Sequence, residues 1–386
     1  MTGLISTQAD DAVQLQQDLA RALDGGPALA LGMLGLGASD DEPEVVDEGT
    51  AVVIGTSGSS GIPKRVVLSA EALRAGAEAT ALRIGSGSWL LALPAGYVAG
   101  LQVLARSILS GTTPVVLRDG FSARSFAEAT LPMLRGRGEK LFTSLVPAQV
   151  ATLLDAAVDD TTVLAALQAY SAILVGGQAL PEPVRERATE LGVHLVRTYG
   201  STETSGGCVY DGVPLETVAV KTVDGELRIA GPMLADGYLG DPALTGATFE
   251  RDEHGIRWYR TGDLGIVEDG VVRVHGRADN VIVSGGVNIS LDRVERIVRG
   301  IPGLTSAVVV GVDDERWGEA SVIVAERGEA LRRSESEQLG HAREVVAEQL
   351  GKPARPARMI IVDEMATLSS GKPDREAIRR LVAELH

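Results

Sequence analysis

The sequence predicts an α/β fold, with a large multi-layer N-terminal domain over residues 1–278 and a small α+β domain over residues 279–386. Three observations lead there. Up to residue 196, short β-rich runs alternate with amphipathic stretches, the pattern of a sheet covered by helices. From residue 215 the texture changes to shorter β-like pieces joined by Asp-Gly turns, which signal hairpins. Beyond Asp279, strands and helices mix in a separate, smaller piece.

Taken in order, the Gly/Ala-rich first 40 residues carry little signal. Strand candidates follow at 52–54, 90–93, 115–117, 173–175 and 195–196. Ser69 is placed to cap a helix running through Leu73 and Ala77. The segments 223–229 and 267–274 are hairpins turned at Asp224-Gly225 and Asp269-Gly270. After 281–283 comes the loop Ser284-Gly285-Gly286, then a helix capped by Ser290. Further helices are expected at 334–350 and 374–384, and strands near 308–310, 321–325 and 359–362. Glycine-containing segments follow the runs at 51–54, 172–175 and 194–199, so three loops are expected to share one crevice at the carboxyl ends of the strands.

Composition removes several classes of function. The single cysteine, Cys208, excludes a disulfide framework and a cysteine-rich metal site, and fits a reducing cytosol. A formal charge of −16 argues against nucleic acid as the main partner, since polyphosphate binding needs a broad basic surface. No window approaches the roughly 20 apolar residues of a membrane span, so the expectation is a soluble, cytoplasmic protein.

Residues 55–65 pack three glycines, four hydroxyls and a lysine into one loop directly after an apolar run. Thr56, Ser57, Gly58, Ser59, Ser60, Gly61 and Lys64 suit an oxyanion cradle: glycines turn backbone N–H groups toward the anion, hydroxyls add donors, and the lysine adds positive charge. The order differs from G-x-x-x-x-G-K-[ST], which disfavours the common nucleotide-triphosphatase loop. A plain Gly/Ser surface turn is the competing reading.

Three more segments need the same explanation: Thr198 to Thr204 (TYGSTET), Trp258 to Gly265 (WYRTGDLG) and Ser369 to Asp374 (SSGKPD). With the loop at 55–65 they resemble, in order, the signature motifs of the adenylate-forming acyl- and aryl-CoA synthetases. The resemblance spans residues 50 to 386. Within that superfamily, residues 93–102 (LPAGYVAGLQ) and 206–215 (GGCVYDGVPL) look most like the o-succinylbenzoate–CoA ligases of menaquinone biosynthesis, and the compact N-terminus looks like their short form.

The resemblance implies an adenylate-forming N-terminal domain with a mobile C-terminal lid, and ATP, Mg²⁺ and coenzyme A as reactants. A carboxylate attacks the α-phosphorus of ATP, pyrophosphate leaves, and the thiol of coenzyme A opens the acyl-adenylate. It implies that Lys372 is the catalytic lysine of the first step, with Thr202 a phosphate donor and Glu203 the Mg²⁺ ligand. Tyr199 would stack on adenine beside Gly176, Gly177 and Gly200, Asp263 would hold the ribose hydroxyls, and Arg277 would contact ribose or phosphate. Asp279 matches the hinge, about which rotation would exchange Lys372 for Ser284, Gly285 and Gly286 beside the pantetheine path. Tyr97, Gln102, Ser144, Thr204 and Cys208 are the candidate walls of the acid pocket; 143–147 reads equally well as a strand end and helix start.

Two positions depart from the pattern: Arg65 replaces the usual glycine after the loop lysine, and Tyr97 stands where many relatives carry another aromatic or a histidine. Three other readings stay open: another aryl- or acyl-CoA ligase, a stand-alone domain loading a carrier protein, and a binding module without chemistry. The expected partners are small molecules, with a homodimer as the working assembly.

Overall fold

A computed structural model describes residues 1–7, 11–32, 45–56, 64–118, 120–135, 140–327, 334–368 and 372–385. Four sheets organise them. Two form the body of the N-terminal portion. The first has six strands, in the order Gly237–Tyr238, Lys64–Ser69, Thr50–Thr56, Ala28–Leu31, Thr2–Ser6 and Val45–Val46. The second has seven, in the order Val213–Pro214, Gly206–Tyr210, Leu195–Ser201, Ala172–Val175, Leu141–Leu145, Ser88–Leu91 and Val115–Val116. From Leu195–Ser201 to Val115–Val116 its pairs are parallel, as connections through helices require.

Helices Ala70–Ile84 and Val98–Leu109 contribute Leu73, Leu101 and Leu104 to one core with Val52, Ile54 and Leu68 of the first sheet and Phe142, Leu174 and Val196 of the second. The opposite face of the seven-stranded sheet is covered by helices Ala123–Thr130, Pro147–Ala156, Thr161–Gln168 and Glu182–Glu190 around Phe126, Leu153 and Ile173. A sheet so covered is buried on both sides, which is why its strands read as continuous apolar runs.

The third sheet orders Ala219–Val223, Glu226–Ala230, Arg257–Glu268 and Phe249–Arg251, with Val271–Arg277 also paired to Arg257–Glu268. Both expected hairpins are present. Asp224 and Gly225 (φ 52° and 82°) and Asp269 and Gly270 (φ 50° and 77°) supply the two positive φ values of a tight turn. The fourth sheet begins at Val281 and runs Val287–Ser290, Val281–Ser284, Gly318–Glu326, Val308–Asp314, with Arg358–Val362 parallel to Gly318–Glu326. Helices Leu291–Arg299 and Glu335–Leu350 pack on one face of it, and Arg375–Glu384 on the other. Ser69, Ser290, Ser334 and Asp374 cap their helices through the side chain.

Several expectations need correction. The strand expected at 90–93 starts earlier, at Ser88, and stops at Leu91. The segment 143–147 is, as one of its two readings had it, the end of strand Leu141–Leu145 and the start of helix Pro147–Ala156, with proline at its first position. The first 40 residues contain strand Thr2–Ser6, helix Ala12–Leu23 and strand Ala28–Leu31, though short apolar runs gave no period there. Strand Thr50–Thr56 pairs antiparallel with Lys64–Ser69, in a different sheet from strand Ala172–Val175. No helix among the described residues is long and apolar enough to cross a membrane.

Candidate active site

One cavity of ≈ 600 Å³ collects most of those site residues singled out above that lie among the described residues. Thr56 and Lys64 reach it from the first sheet, Ser144, Gly176, Gly177, Gly200, Thr202 and Glu203 from the second, Arg277 from the third, and Lys372 from the fourth-sheet unit. Tyr97 and Gln102 line it from the start of helix Val98–Leu109. The three glycine-bearing segments therefore do share a crevice, formed where two sheets meet. Ser57, Gly58, Ser59, Ser60 and Gly61 lie outside the described residues, as do Ser369, Ser370 and Gly371.

The strand Leu195–Ser201 passes directly into a turn, Thr202–Thr204, that ends at Ser205 in the left-handed region (φ 51°). This short turn aims Thr202 and Glu203 into the cavity. Thr204 holds it from behind, accepting from the Ser201 N–H at 2.8 Å and donating to the Gly206 carbonyl at 2.7 Å. Thr204 and Cys208 are accordingly not among the lining residues, contrary to their expected place in the acid wall. Thr204 is consumed by the turn, and Cys208 sits in the helix–sheet core, where burial pushes its thiol up to about 12.

Tyr238, from the six-stranded sheet, donates its hydroxyl to Glu203 Oε1 at 2.9 Å, and the Lys64 ammonium lies 5.7 Å from the centre of its ring. Burial and the facing Glu203 carboxylate both raise the phenol, so Tyr238 remains a donor at neutral pH. Nearby, Tyr199 donates to Asp263 Oδ2 at 2.6 Å. Burial raises the Asp263 carboxyl, while this hydrogen bond and Arg277, at 3.5 Å, oppose the rise. Arg277 also donates to the Thr261 carbonyl and to both oxygens of Asp279, which hold it charged. Tyr199, Asp263 and Arg277 form one hydrogen-bonded edge, although only Arg277 is counted among the lining residues.

Lys372 enters on a loop closed by Leu368 N–H to Lys372 O (2.8 Å) and Asp374 N–H to Ala366 O (2.8 Å). Burial lowers its ammonium below the usual 10.5, with Glu203 pulling in the opposite direction. Gly177, at φ 85°, lets it in: a Cβ there would stand 3.1 Å from the Lys372 Cε. Ser284, Gly285 and Gly286 form the hairpin tip of the fourth sheet, with Gly285 N–H bonded to the Trp317 carbonyl, and do not line the cavity.

Two further residues stand out that the motifs did not reveal. Tyr238 is one. The other is Arg106, 7% exposed on helix Val98–Leu109, whose guanidinium packs 5.0 Å from the Trp89 ring centre and reaches the Tyr210 hydroxyl at 3.4 Å. Its Nε has no hydrogen-bond partner, it forms no ion pair among the described residues, and it lines the cavity. Gln102, one turn earlier, has an equally unpartnered Oε1. The signal was visible as Gln102 and Arg106, four apart, which with Ser107 interrupt a mostly apolar Val98–Leu109.

Comparison with known proteins gives this geometry a family. The AMP-binding enzyme family matches residues 4–239, and the AMP-binding enzyme C-terminal domain matches residues 293–372. This chain is an AMP-binding enzyme. Among its relatives is a probable 2-succinylbenzoate–CoA ligase of Mycobacterium tuberculosis (strain ATCC 25618 / H37Rv), 38% identical over 349 residues that cover 88% of this chain and 87% of the relative. The 2-succinylbenzoate–CoA ligase of Geobacillus kaustophilus is 29% identical over 400 residues, covering 95% and 77%. The AMP-binding enzyme fold is shared with o-succinylbenzoate CoA synthetase of Bacillus subtilis, solved with its OSB-AMP acyl-adenylate (TM-score 0.73, 24% identity, 95% of this chain and 80% of that one). It is shared equally with ATP-bound MatB of Rhodopseudomonas palustris (TM-score 0.73, 21% identity, 90% and 72%).

Proposed function

We propose that this AMP-binding enzyme ligates o-succinylbenzoate to coenzyme A in two steps, through an acyl-adenylate, with release of pyrophosphate and AMP. The observation that carries the choice of acid is Arg106, a buried guanidinium on the cavity wall without a carboxylate partner among the described residues. A buried charge without a partner is costly, so the wall is built for an acid with a second carboxylate. The kinship with 2-succinylbenzoate–CoA ligases supports the same acid and the coenzyme A acceptor.

The residues divide the work by chemistry. Lys372 faces the junction of acid and nucleotide, where its ammonium stabilises the negative charge that accumulates as carboxylate oxygen and α-phosphorus approach. Lys64, Thr56 and Thr202 supply donors for the phosphates. Asp263 offers carboxylate oxygens as acceptors to the ribose hydroxyls. Glu203 suits Mg²⁺: the described residues contain no cluster of three or more His, Cys, Asp or Glu, and this ion needs only one or two carboxylates beside substrate phosphates. Bound there, Mg²⁺ would neutralise phosphate charge.

Tyr238 holds the Glu203 carboxylate in place, so Tyr238→Phe is expected to weaken Mg²⁺ about tenfold, in keeping with the effect of losing an outer-sphere partner. A Mg²⁺ titration of ATP binding by calorimetry reads this directly.

The two portions meet around Asp279, exposed between the last strand of the third sheet and the first of the fourth. We place the domain boundary and hinge there, with the present arrangement, Lys372 inside the cavity, serving adenylation. Arg299 donates to Gln178 Oε1 across the boundary at 3.2 Å. Losing one such bond is worth about 1 kcal/mol, so Gln178→Ala is expected to slow adenylate formation several-fold and to leave thioester formation from added acyl-adenylate unchanged. Pre-steady-state assays of the separate half-reactions distinguish the two.

The substrate is tested by supplying purified protein with ATP, Mg²⁺, coenzyme A and a competing mixture of o-succinylbenzoate, benzoates, fatty acids and amino acids. A dominant o-succinylbenzoyl-CoA product in the mass spectrum is expected. A different thioester overturns the acid, and AMP with pyrophosphate but no thioester overturns the acceptor in favour of a carrier protein.

A further inference from the structure

Behind the active-site cavity lies a second one of ≈ 250 Å³, lined by Ala77, Thr80, Ala81, Trp89 and Leu109 among others. Arg106 is the one residue common to the linings of both cavities. It does not stand alone between them. Its Nη2 donates to the Tyr210 hydroxyl, which is 2.9 Å from Thr80 Oγ1, and its guanidinium lies against Trp89. Thr80, Tyr210 and Arg106 are all buried, and together they make a polar cross-wall between helices Ala70–Ile84 and Val98–Leu109.

We propose that Arg106 is a partition that sets the class of acid, closing off a second compartment, lined by apolar Ala77, Ala81, Trp89 and Leu109 and by polar Glu78, Thr80, Ser86 and Ser110, whose apolar side would accept the tail of a longer, neutral acid. The inference rests on the proposed acid-CoA ligase reading. With Arg106 in place, an acid lacking a second carboxylate leaves the guanidinium buried and unpaired, and its tail finds the way blocked. Without Arg106, the cavity of ≈ 600 Å³ opens into the space behind it, and the selective pressure of an unpaired charge disappears. Alanines at 77 and 81 and the Leu109 side chain then offer the apolar contact that a hydrocarbon tail needs.

The test compares kcat/KM for o-succinylbenzoate with kcat/KM for phenylalkanoates and medium-chain fatty acids, following the CoA thioester by mass spectrometry. Arg106→Leu is expected to lose about 100-fold or more on o-succinylbenzoate, as truncating one side of a buried charge pair does. It is expected to gain about tenfold or more on the neutral acids, the scale at which apolar pockets discriminate. Arg106→Lys keeps the charge and should gain nothing. Ala81→Phe, which fills the rear compartment from the helix behind it, should leave o-succinylbenzoate turnover unchanged by itself and abolish the gain when combined with Arg106→Leu. Arg106→Ala replaces the leucine variant if the latter lacks an ATP-dependent thermal shift. Absence of any gain on neutral acids, or a gain that survives Ala81→Phe, overturns the proposal. A wild-type enzyme inert toward o-succinylbenzoate overturns the reading of the substrate instead, and the neutral-acid comparison still decides the partition.

Discussion

Replacing Lys372 by alanine is expected to lower acyl-adenylate formation by about 10²–10³-fold, the usual effect of removing one donor aimed at developing negative charge. The loss belongs to one half-reaction. Thioester formation from preformed acyl-adenylate should stay near the wild-type rate, because Lys372, which lies against Gly177, is proposed to act in the first step alone. The pH profile carries a second signature. Burial lowers the Lys372 ammonium below 10.5, so the charged form is lost as pH rises through that lowered value. The alkaline limb of kcat/KM for adenylation, which reports the free enzyme, should therefore fall below the ordinary lysine range. Lys372→Arg keeps its charge at high pH and should move that limb upward, whatever it costs in rate. Pyrophosphate exchange measured across the pH range reads both effects.

Gly200→Ala is the second large effect, and its cause is steric. At Gly200 the strand Leu195–Ser201 shifts register against Gly206–Tyr210, and the two backbones approach so closely that a Cβ would stand 2.1 Å from the Gly206 carbonyl oxygen. The methyl group has only backbone to push against. Overpacking of this kind costs about 1–3 kcal/mol of stability, which for a protein of this size is a shift of a few degrees in Tm. Activity should suffer more than stability, because Thr202 and Glu203 follow immediately in the turn and both face the cavity. A displacement of about 1 Å at groups that position substrate costs on the order of 10²-fold. Calorimetry together with ATP-dependent exchange separates the two: a modest loss in Tm with a large loss in exchange is expected, and unchanged exchange would contradict the role given to the turn.

The parts of this molecule that were legible in sequence are those where chemistry or backbone conformation dictates residue type locally. Asp224-Gly225 and Asp269-Gly270 read as hairpin turns because few residues tolerate two successive positive φ values. Ser69 and Ser290 read as caps because a short side-chain oxygen is what a helix start needs. Lys64, Gly176, Gly177, Glu203 and Lys372 were legible because their motifs are short and ordered, and the cavity brings them together.

The rest depends on packing between distant segments. Arg106 meets Tyr210 more than a hundred positions later, and Tyr238 meets Glu203 across two sheets, so neither contact leaves a trace in local spacing. Thr204 and Cys208 look like wall residues by proximity to the Glu203 motif. Yet the turn consumes the first as a hydrogen-bonding brace, and the core takes the second. The crevice was foreseen at the carboxyl ends of one sheet's strands; it is the seam between two sheets, since Thr50–Thr56 and Ala172–Val175 read alike as buried strands and only pairing tells them apart.

The central claim is that acid activation proceeds through an enzyme-bound acyl-adenylate on this cavity. A single-turnover, rapid-quench experiment with enzyme in excess, ATP, Mg²⁺ and o-succinylbenzoate but no coenzyme A tests it most directly. The account predicts that o-succinylbenzoyl-AMP and pyrophosphate accumulate together, in proportion to active sites, and that coenzyme A then converts the adenylate to thioester and AMP. Release of ADP and phosphate, or thioester formation with no adenylate ever detectable, would contradict it.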